Sequence, residues 1–159
     1  MRTSDGEGMI NKGLFTSGSV HWATPSELYQ VLDAEFHFND DPCPLHGSRG
    51  LEREWGTRTF CNPPYGRVIG EWLKKAYSEA QKGKIVVCLI PSRTDTKWWH
   101  EIIMHASEIR FMKGRLRFGN SKQGAPFPSA IVVFRRPESV LKAPHRKRPQ
   151  PYQGESIED

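Results

Sequence analysis

Thr57-Arg58-Thr59-Phe60-Cys61-Asn62-Pro63-Pro64-Tyr65-Gly66 is a β-prone run that stops at a polar residue, two prolines and an aromatic. Proline lacks the N–H that a ladder or a helix interior needs, so the strand ends at Cys61 and Asn62 stands just beyond it. Asn62 carries an amide oxygen, and Pro63 a carbonyl that the ring geometry holds outward. Two acceptors side by side suit a planar molecule with an exocyclic NH2, and Tyr65 offers a face on which such a molecule stacks. The same ten residues also read as a strand followed by a proline-rich turn, with Tyr65 as ordinary packing.

An exocyclic amine on a base is a poor nucleophile, because its lone pair is delocalised into the ring. Acceptors that draw both hydrogens away from the ring plane free that pair to attack an electrophilic methyl group. The stretch therefore points to methyl transfer onto nitrogen, with Asn62, Pro63, Pro64 and Tyr65 as the catalytic set.

Outward from this strand the chain alternates between helical and extended patterns. Thr24 as N-cap and Pro25 at the first helical position predict a helix to about residue 35, with Leu28, Val31 and Leu32 at helical spacing. Residues 36–40 alternate like a strand and stop at Asp41-Pro42-Cys43-Pro44, leaving Asp41 at its carboxyl end. Residues 45–56 read as loop. Downstream, Ile69, Trp72, Leu73, Ala76 and Ala80 share one helical face ahead of Gly83. Residues 85–90 are a continuous apolar run suited to a central strand. A polar turn, Pro91-Ser92-Arg93-Thr94-Asp95, leads to a helix through Trp98, Trp99, Ile102 and Ile103, with Asp95 as its expected cap. Strands at 108–112 and 130–134 enclose a basic loop. Such alternation predicts an α/β fold with a mostly parallel, doubly wound sheet whose ligands sit outside the carboxyl ends of the strands. Asp41, Asn62 and residues 92–95 gather at that edge.

The 159 residues suffice for one domain, expected at 20–136 between flexible segments at 1–19 and 137–159, and leave no room for a large recognition domain. Hydrophobic residues make up 36%, charged residues 26% and the mean hydropathy is −0.63, which describes a soluble protein. No apolar run approaches the roughly 18 residues of a membrane span, and no signal peptide is visible. Cys43, Cys61 and Cys88 are an odd number and read as reduced thiols; Cys43 with His46 begins a metal-ligand spacing that no second pair completes, so no metal is expected. A net charge of +5 favours a polyanionic partner. Arg110, Lys113, Arg115 and Arg117 interleave with Phe111, Leu116 and Phe118. That pattern suits a hairpin or loop presenting cations to DNA, and equally a solvated strand face with its aromatics in the core.

Taken in order, Trp22-Ala23-Thr24-Pro25, Asp41-Pro42, Phe60-Cys61-Asn62-Pro63-Pro64-Tyr65-Gly66, Pro91-Ser92-Arg93-Thr94-Asp95-Thr96 with Trp98-Trp99-His100, and Phe127-Pro128-Ser129-Ala130 resemble the phage-type DNA N6-adenine methyltransferases, the Dam family of phages and prophages. The resemblance runs from Trp22 to Phe134. It implies a compact, Rossmann-like class I methyltransferase fold, S-adenosylmethionine as donor and methylation of adenine N6 in double-stranded DNA, on a base flipped out of the duplex. Asn62 and the Pro63 carbonyl then take the amine and Tyr65 stacks on the adenine. Trp22, Thr24, Pro25, Asp41 and Cys61 become candidate cofactor contacts, and Arg93, Lys113, Arg115 and Arg117 candidate DNA contacts. Phe127 either clasps the other face of the base or packs in the core. The resemblance further implies a monomer or weak dimer in a bacterial host's cytoplasm, in restriction-modification or anti-restriction. One departure stands out: no glycine-rich loop follows the first strand, and Asp41-Pro42-Cys43-Pro44-Leu45-His46-Gly47 occupies its place. A methylase of RNA adenine or of protein glutamine, and a non-catalytic DNA-binding relic, remain alternatives.

Overall fold

The computed structural model describes residues 22–44 and 49–136; the terminal segments expected to be flexible, together with His46 and Gly47 of the atypical loop, lie outside the described residues. Helix α1 (Ser26–Phe36) opens at Pro25, whose carbonyl accepts Tyr29 N–H at 3.0 Å. No side chain caps it, so the cap expected of Thr24 is not made; the Thr24 hydroxyl serves a longer-range partner described below. The helix ends at His37, in the left-handed region at φ 54°, where Asp33 takes both following amides: its carbonyl accepts His37 N–H at 2.8 Å and its carboxylate Phe38 N–H at 2.9 Å.

That ending corrects the strand expected at 36–40. Phe36 belongs to the helix, His37 to the reversal, and Pro42 stops extension from the other side. What remains is a single parallel bridge between Asp40 and Thr59, supported by Asn39 N–H to the Arg58 carbonyl at 2.8 Å and Phe60 N–H to the Asp40 carbonyl at 3.0 Å.

The strands are β1 (Arg58–Cys61), β2 (Ile85–Pro91), β3 (Glu108–Phe111) and β4 (Ser129–Phe134), in the order β1-β2-β4-β3. β1 and β2 are parallel, whereas β4 runs antiparallel to both β2 and β3. The sheet is thus mixed rather than mostly parallel. The reason is local: residues 112–128 return the chain from β3 to its neighbour β4 without a crossover helix, and only an antiparallel pair can be joined that way. β2, at the centre, is buried throughout except at Ile85, as its unbroken apolar run requires.

Helices cover both faces. Phe60, Val87 and Val133 are lateral neighbours on one face, where Tyr29 of α1 meets Phe60 edge-on at 5.2 Å. On the other face Tyr77 of α2 (Ile69–Gln81) meets Phe134 at 6.1 Å, and Trp99 of α3 (Lys97–Glu101) stacks on Phe111 at 6.4 Å. The cap of α3 is Thr96, whose hydroxyl accepts Trp99 N–H at 3.3 Å; Asp95, one residue too early, is exposed. A 3₁₀ turn, Ile103–His105, continues it. Between β1 and α2 the chain turns at Gly66, whose φ of 102° a residue with a Cβ adopts only under strain.

Glu79, on the buried side of α2, receives Lys75 at 2.8 Å, Lys82 at 3.1 Å and Lys84 at 2.6 Å. Burial alone would raise its carboxyl, but the three ammonium groups outweigh it and hold the group at about 2. A folded value below the ordinary 4.5 means that this carboxylate stabilises the fold above about pH 4.5 and that its contribution drains away as pH falls toward 2. Urea midpoints of the native chain should therefore decline through that window, and those of Glu79→Gln should start lower at neutral pH and decline less steeply. Parallel profiles for the two chains would refute this role.

Candidate functional site

Alternation along β1 decides what faces the ligand side. Phe60 and Asn62 both line a cavity of about 380 Å³ beside α1. Cys61 lies between them and points to the opposite face, where it is fully buried next to its lateral neighbour Cys88. The thiol expected at the cofactor is therefore not brought to the cavity; burial first, then Cys88, push its pKa up.

Three short segments complete the wall. Trp22, Ala23 and Thr24 come from the stretch before α1, and Asp41, Cys43 and Pro44 from the stretch after the bridge. Pro25 is not in the wall; it starts the helix. Ser26, Tyr29 and Gln30 of α1 are in it, and the sequence reading missed them. Their i, i+3, i+4 spacing was the available signal, since it places them on one stripe of the helix. Consecutive acids diverge here. Asp40 is gripped by Arg53 through two bonds of 2.7 Å and by Gly56 N–H at 2.8 Å, and the Arg53 bond holds its carboxyl below the usual range. Asp41 instead lines the cavity while remaining exposed at its mouth; partial desolvation there and then the neighbouring Asp40 charge raise it, although Cys43 N–H donates to it at 3.0 Å. Burial and Asp41 push the Cys43 thiol up to about 11, which keeps it protonated.

Asn62 is held by its nitrogen. Nδ2 donates to the Trp22 carbonyl at 2.5 Å and to Thr24 Oγ1 at 3.0 Å. Turning the amide over would set its oxygen against the Trp22 carbonyl, acceptor against acceptor, so chemistry fixes which end is which. Oδ1 is then left buried and without a partner among the described residues. Ser92 Oγ, just after β2, and Ser129 Oγ, at the start of β4 opposite Pro91, share that condition at the same edge of the sheet. A buried polar atom without a partner costs about 1–3 kcal/mol, which a ligand supplying the missing bonds recovers.

Pro63 and Pro64 are buried, and no described N–H donates to the Pro63 carbonyl. Tyr65 is buried too. Its hydroxyl donates to the Leu89 carbonyl at 3.3 Å, and its ring meets Phe127 at 5.4 Å and Phe118 at 6.4 Å, both edge-on. Trp22 joins them, 5.3 Å from Phe127 and 5.4 Å from Phe118. Tyr65 and Phe127, the two aromatics expected at the base, are thus brought together, with Phe118 as a member drawn from the basic segment.

Arg110 and Phe111 of that segment belong to β3, and the remainder, from Lys113 to Phe118, is loop. Ala125 N–H to the Leu116 carbonyl, 2.8 Å, closes it, and Gly119 N–H to the Ala23 carbonyl, 3.0 Å, ties it to the cavity wall. Lys113, Arg115 and Arg117 are exposed and make no ion pair among the described residues. Arg110 does not belong with them, because Glu35 takes it through two bonds of 2.6 Å and Glu108 through a third. Phe111 is 68% exposed, so the alternative that puts all the aromatics of this stretch in the core does not hold for it. Arg93 is exposed in the turn after β2. Among the described residues no helix is long and apolar enough to cross a membrane, and no cluster of His, Cys, Asp or Glu could hold a metal.

The α/β sheet thus presents an oriented, unpartnered amide oxygen at its carboxyl edge, beside a small-molecule cavity and a cationic loop. The family model for DNA N-6-adenine-methyltransferase (Dam) matches residues 16–146. A DNA N-6-adenine-methyltransferase of Haemophilus phage HP1 (strain HP1c1) is 26% identical over 144 residues, spanning 77% of this chain and 83% of the relative. The chain belongs to the DNA N-6-adenine-methyltransferase (Dam) family, as the motifs around Asn62 led one to expect, and is an adenine-directed DNA methyltransferase.

The geometry around Asn62 demands a donor at Nδ2. Asn62→Asp, similar in size, would set a carboxylate oxygen against the Trp22 carbonyl, and the methyl-transfer rate should fall about 100-fold or more, equivalent to about 2.7 kcal/mol. A rate within threefold of the native one would show that the contact with Trp22 is dispensable.

Proposed function

We propose that the chain transfers a methyl group from S-adenosylmethionine to N6 of an adenine turned out of double-stranded DNA. The observation that carries this reading is the buried, unpartnered Oδ1 of Asn62, on an amide whose nitrogen is fully engaged. An acceptor so placed is matched by the N–H of a planar amine. Asn62 Oδ1 takes one N6 hydrogen and the Pro63 carbonyl the other, which localises the nitrogen lone pair for attack. Once methylated the amine is acidic and loses a proton to solvent, so no dedicated base is required of the chain. Tyr65 and Phe127 supply the aromatic surface for the base, each such contact worth roughly 1–3 kcal/mol.

The cavity fits the donor. Its volume is within the range of small-molecule sites, and its wall combines the rings of Tyr29, Phe60 and Trp22 with the Asp41 carboxyl and the polar ends of Ser26 and Gln30. Such a wall suits a purine nucleoside bearing a positive charge. When bound, S-adenosylmethionine supplies a methyl group activated on a sulfonium. In place of a glycine-rich loop, this chain offers α1 and the segment from Asp41 to Pro44. The Asp40 bridge, β1 and β2 stand as the parallel part of a class I methyltransferase sheet. Arg93, Lys113, Arg115 and Arg117 are the cations for the DNA backbone, where neutralised phosphates release counterions.

Purified chain is to be incubated with S-adenosylmethionine and, in parallel, unmethylated duplex DNA, RNA and protein, with mass spectrometry of the digests. N6-methyladenine in the DNA alone is expected; label confined to RNA or to protein would overturn the substrate assignment. Asn62→Ala should abolish turnover while donor affinity stays largely intact, because the lost bond is made mainly in the transition state. Full turnover by that variant would contradict the mechanism.

A further inference from the structure

We infer that Thr24, which also lines the cavity, acts together with the Trp22 carbonyl as a positioning element that aims the Asn62 oxygen at the amine. The inference rests on the reading of Asn62 as the amine acceptor. Two observations on different residues carry it. First, Thr24 Oγ1 accepts the second Nδ2 hydrogen of Asn62 at 3.0 Å, so both hydrogens of that nitrogen have a defined acceptor, thirty-eight and forty residues away in the chain. An Asn held by one bond can still tilt or turn its amide, whose two ends are nearly equal in size; one held by two cannot.

Second, the segment bearing both acceptors is itself immobilised. The Trp22 ring is wedged between Phe118 and Phe127, and the Ala23 carbonyl between the two acceptors takes Gly119 N–H at 3.0 Å. The clamp therefore cannot swing away without releasing the cationic loop, which links the part expected on DNA to the atom expected on the base.

The test uses the full chain with Thr24→Val, which keeps the shape and removes the acceptor, and Thr24→Ser, which keeps the acceptor. Steady-state kcat and KM on duplex DNA, donor affinity by calorimetry, and the side-chain NH2 signals of Asn62 in 15N-asparagine-labelled protein are to be measured. Thr24→Val should lower kcat at saturating donor about tenfold, as expected for one lost hydrogen bond to the catalytic amide. Thr24→Ser should restore kcat. One of the two Asn62 NH2 protons should shift and exchange faster in Thr24→Val but not in Thr24→Ser. Weakened donor binding with kcat unchanged at saturating donor would overturn the proposal and make Thr24 a donor contact; unaltered Asn62 signals in Thr24→Val would overturn it as well. If the native chain methylates nothing, the functional reading fails, and the amide signals still decide the role of Thr24.

Discussion

Asn62 Nδ2 lies between the Trp22 carbonyl and the Thr24 hydroxyl, and the usefulness of the opposite end of the same amide follows from those two bonds. An asparagine offers a donor end and an acceptor end of nearly equal shape, and only the hydrogen-bond environment distinguishes them. Here the donor end is saturated and the acceptor end is buried and bare. The folded chain carries the cost of that bare oxygen, about 1–3 kcal/mol, which the hydrophobic core of β2, β4 and α2 readily offsets. On the proposed reading, an amide fixed in this way needs no rearrangement of its dipole when charge develops on the amine, which is where preorganised groups lower a barrier most.

The rest of the fold brings distant segments to one edge. Helix α1 does this twice over: Leu32, Phe36 and Tyr29 pack it on the sheet, while Ser26, Tyr29 and Gln30 form part of the cavity wall. The bidentate grip of Arg53 on Asp40 fixes the end of the bridge strand, and Asp41, one residue on, is thereby carried to the cavity. On the far side, β4 inserts between β2 and β3, and the loop feeding it lays Phe118 and Phe127 against Trp22 and Tyr65. Edge-on aromatic pairs of this kind contribute about 0.5–1.5 kcal/mol each, enough to order the loop.

Much of this was legible before the fold, and the failures have physical causes. The end of β1 and the acceptor chemistry of residues 62–65 are local facts of proline and amide, so they could be read directly, as could the central position of residues 85–91 from their unbroken apolar run. Thr24 and Asp95 miss the caps by one residue each, because the helices start one position later, with Pro25 and Thr96 as their N-caps, and residue preference alone does not fix that boundary. The strand at 36–40 failed because Phe36 is held in the helix by packing that includes Arg110, 5.4 Å above its ring. Cys61 has a motif position that suggests the cofactor, but the two-residue period of the strand excludes it from the face that Phe60 and Asn62 share. Arg110 looked like a DNA contact only while Glu35, seventy-five residues earlier, was unknown as its partner. The direction of β4 depends on which strand it inserts beside, which no local pattern reports.

The account stands or falls on what occupies Asn62 Oδ1. The most direct measurement is a structure of the full chain with an unreactive analogue of S-adenosylmethionine and an adenine-containing DNA duplex. The account predicts an extrahelical adenine with N6 at hydrogen-bond distance, about 3 Å, from Asn62 Oδ1, and Nδ2 still on Trp22 and Thr24. An adenine bound elsewhere, or an Asn62 amide turned away from it, would contradict the account.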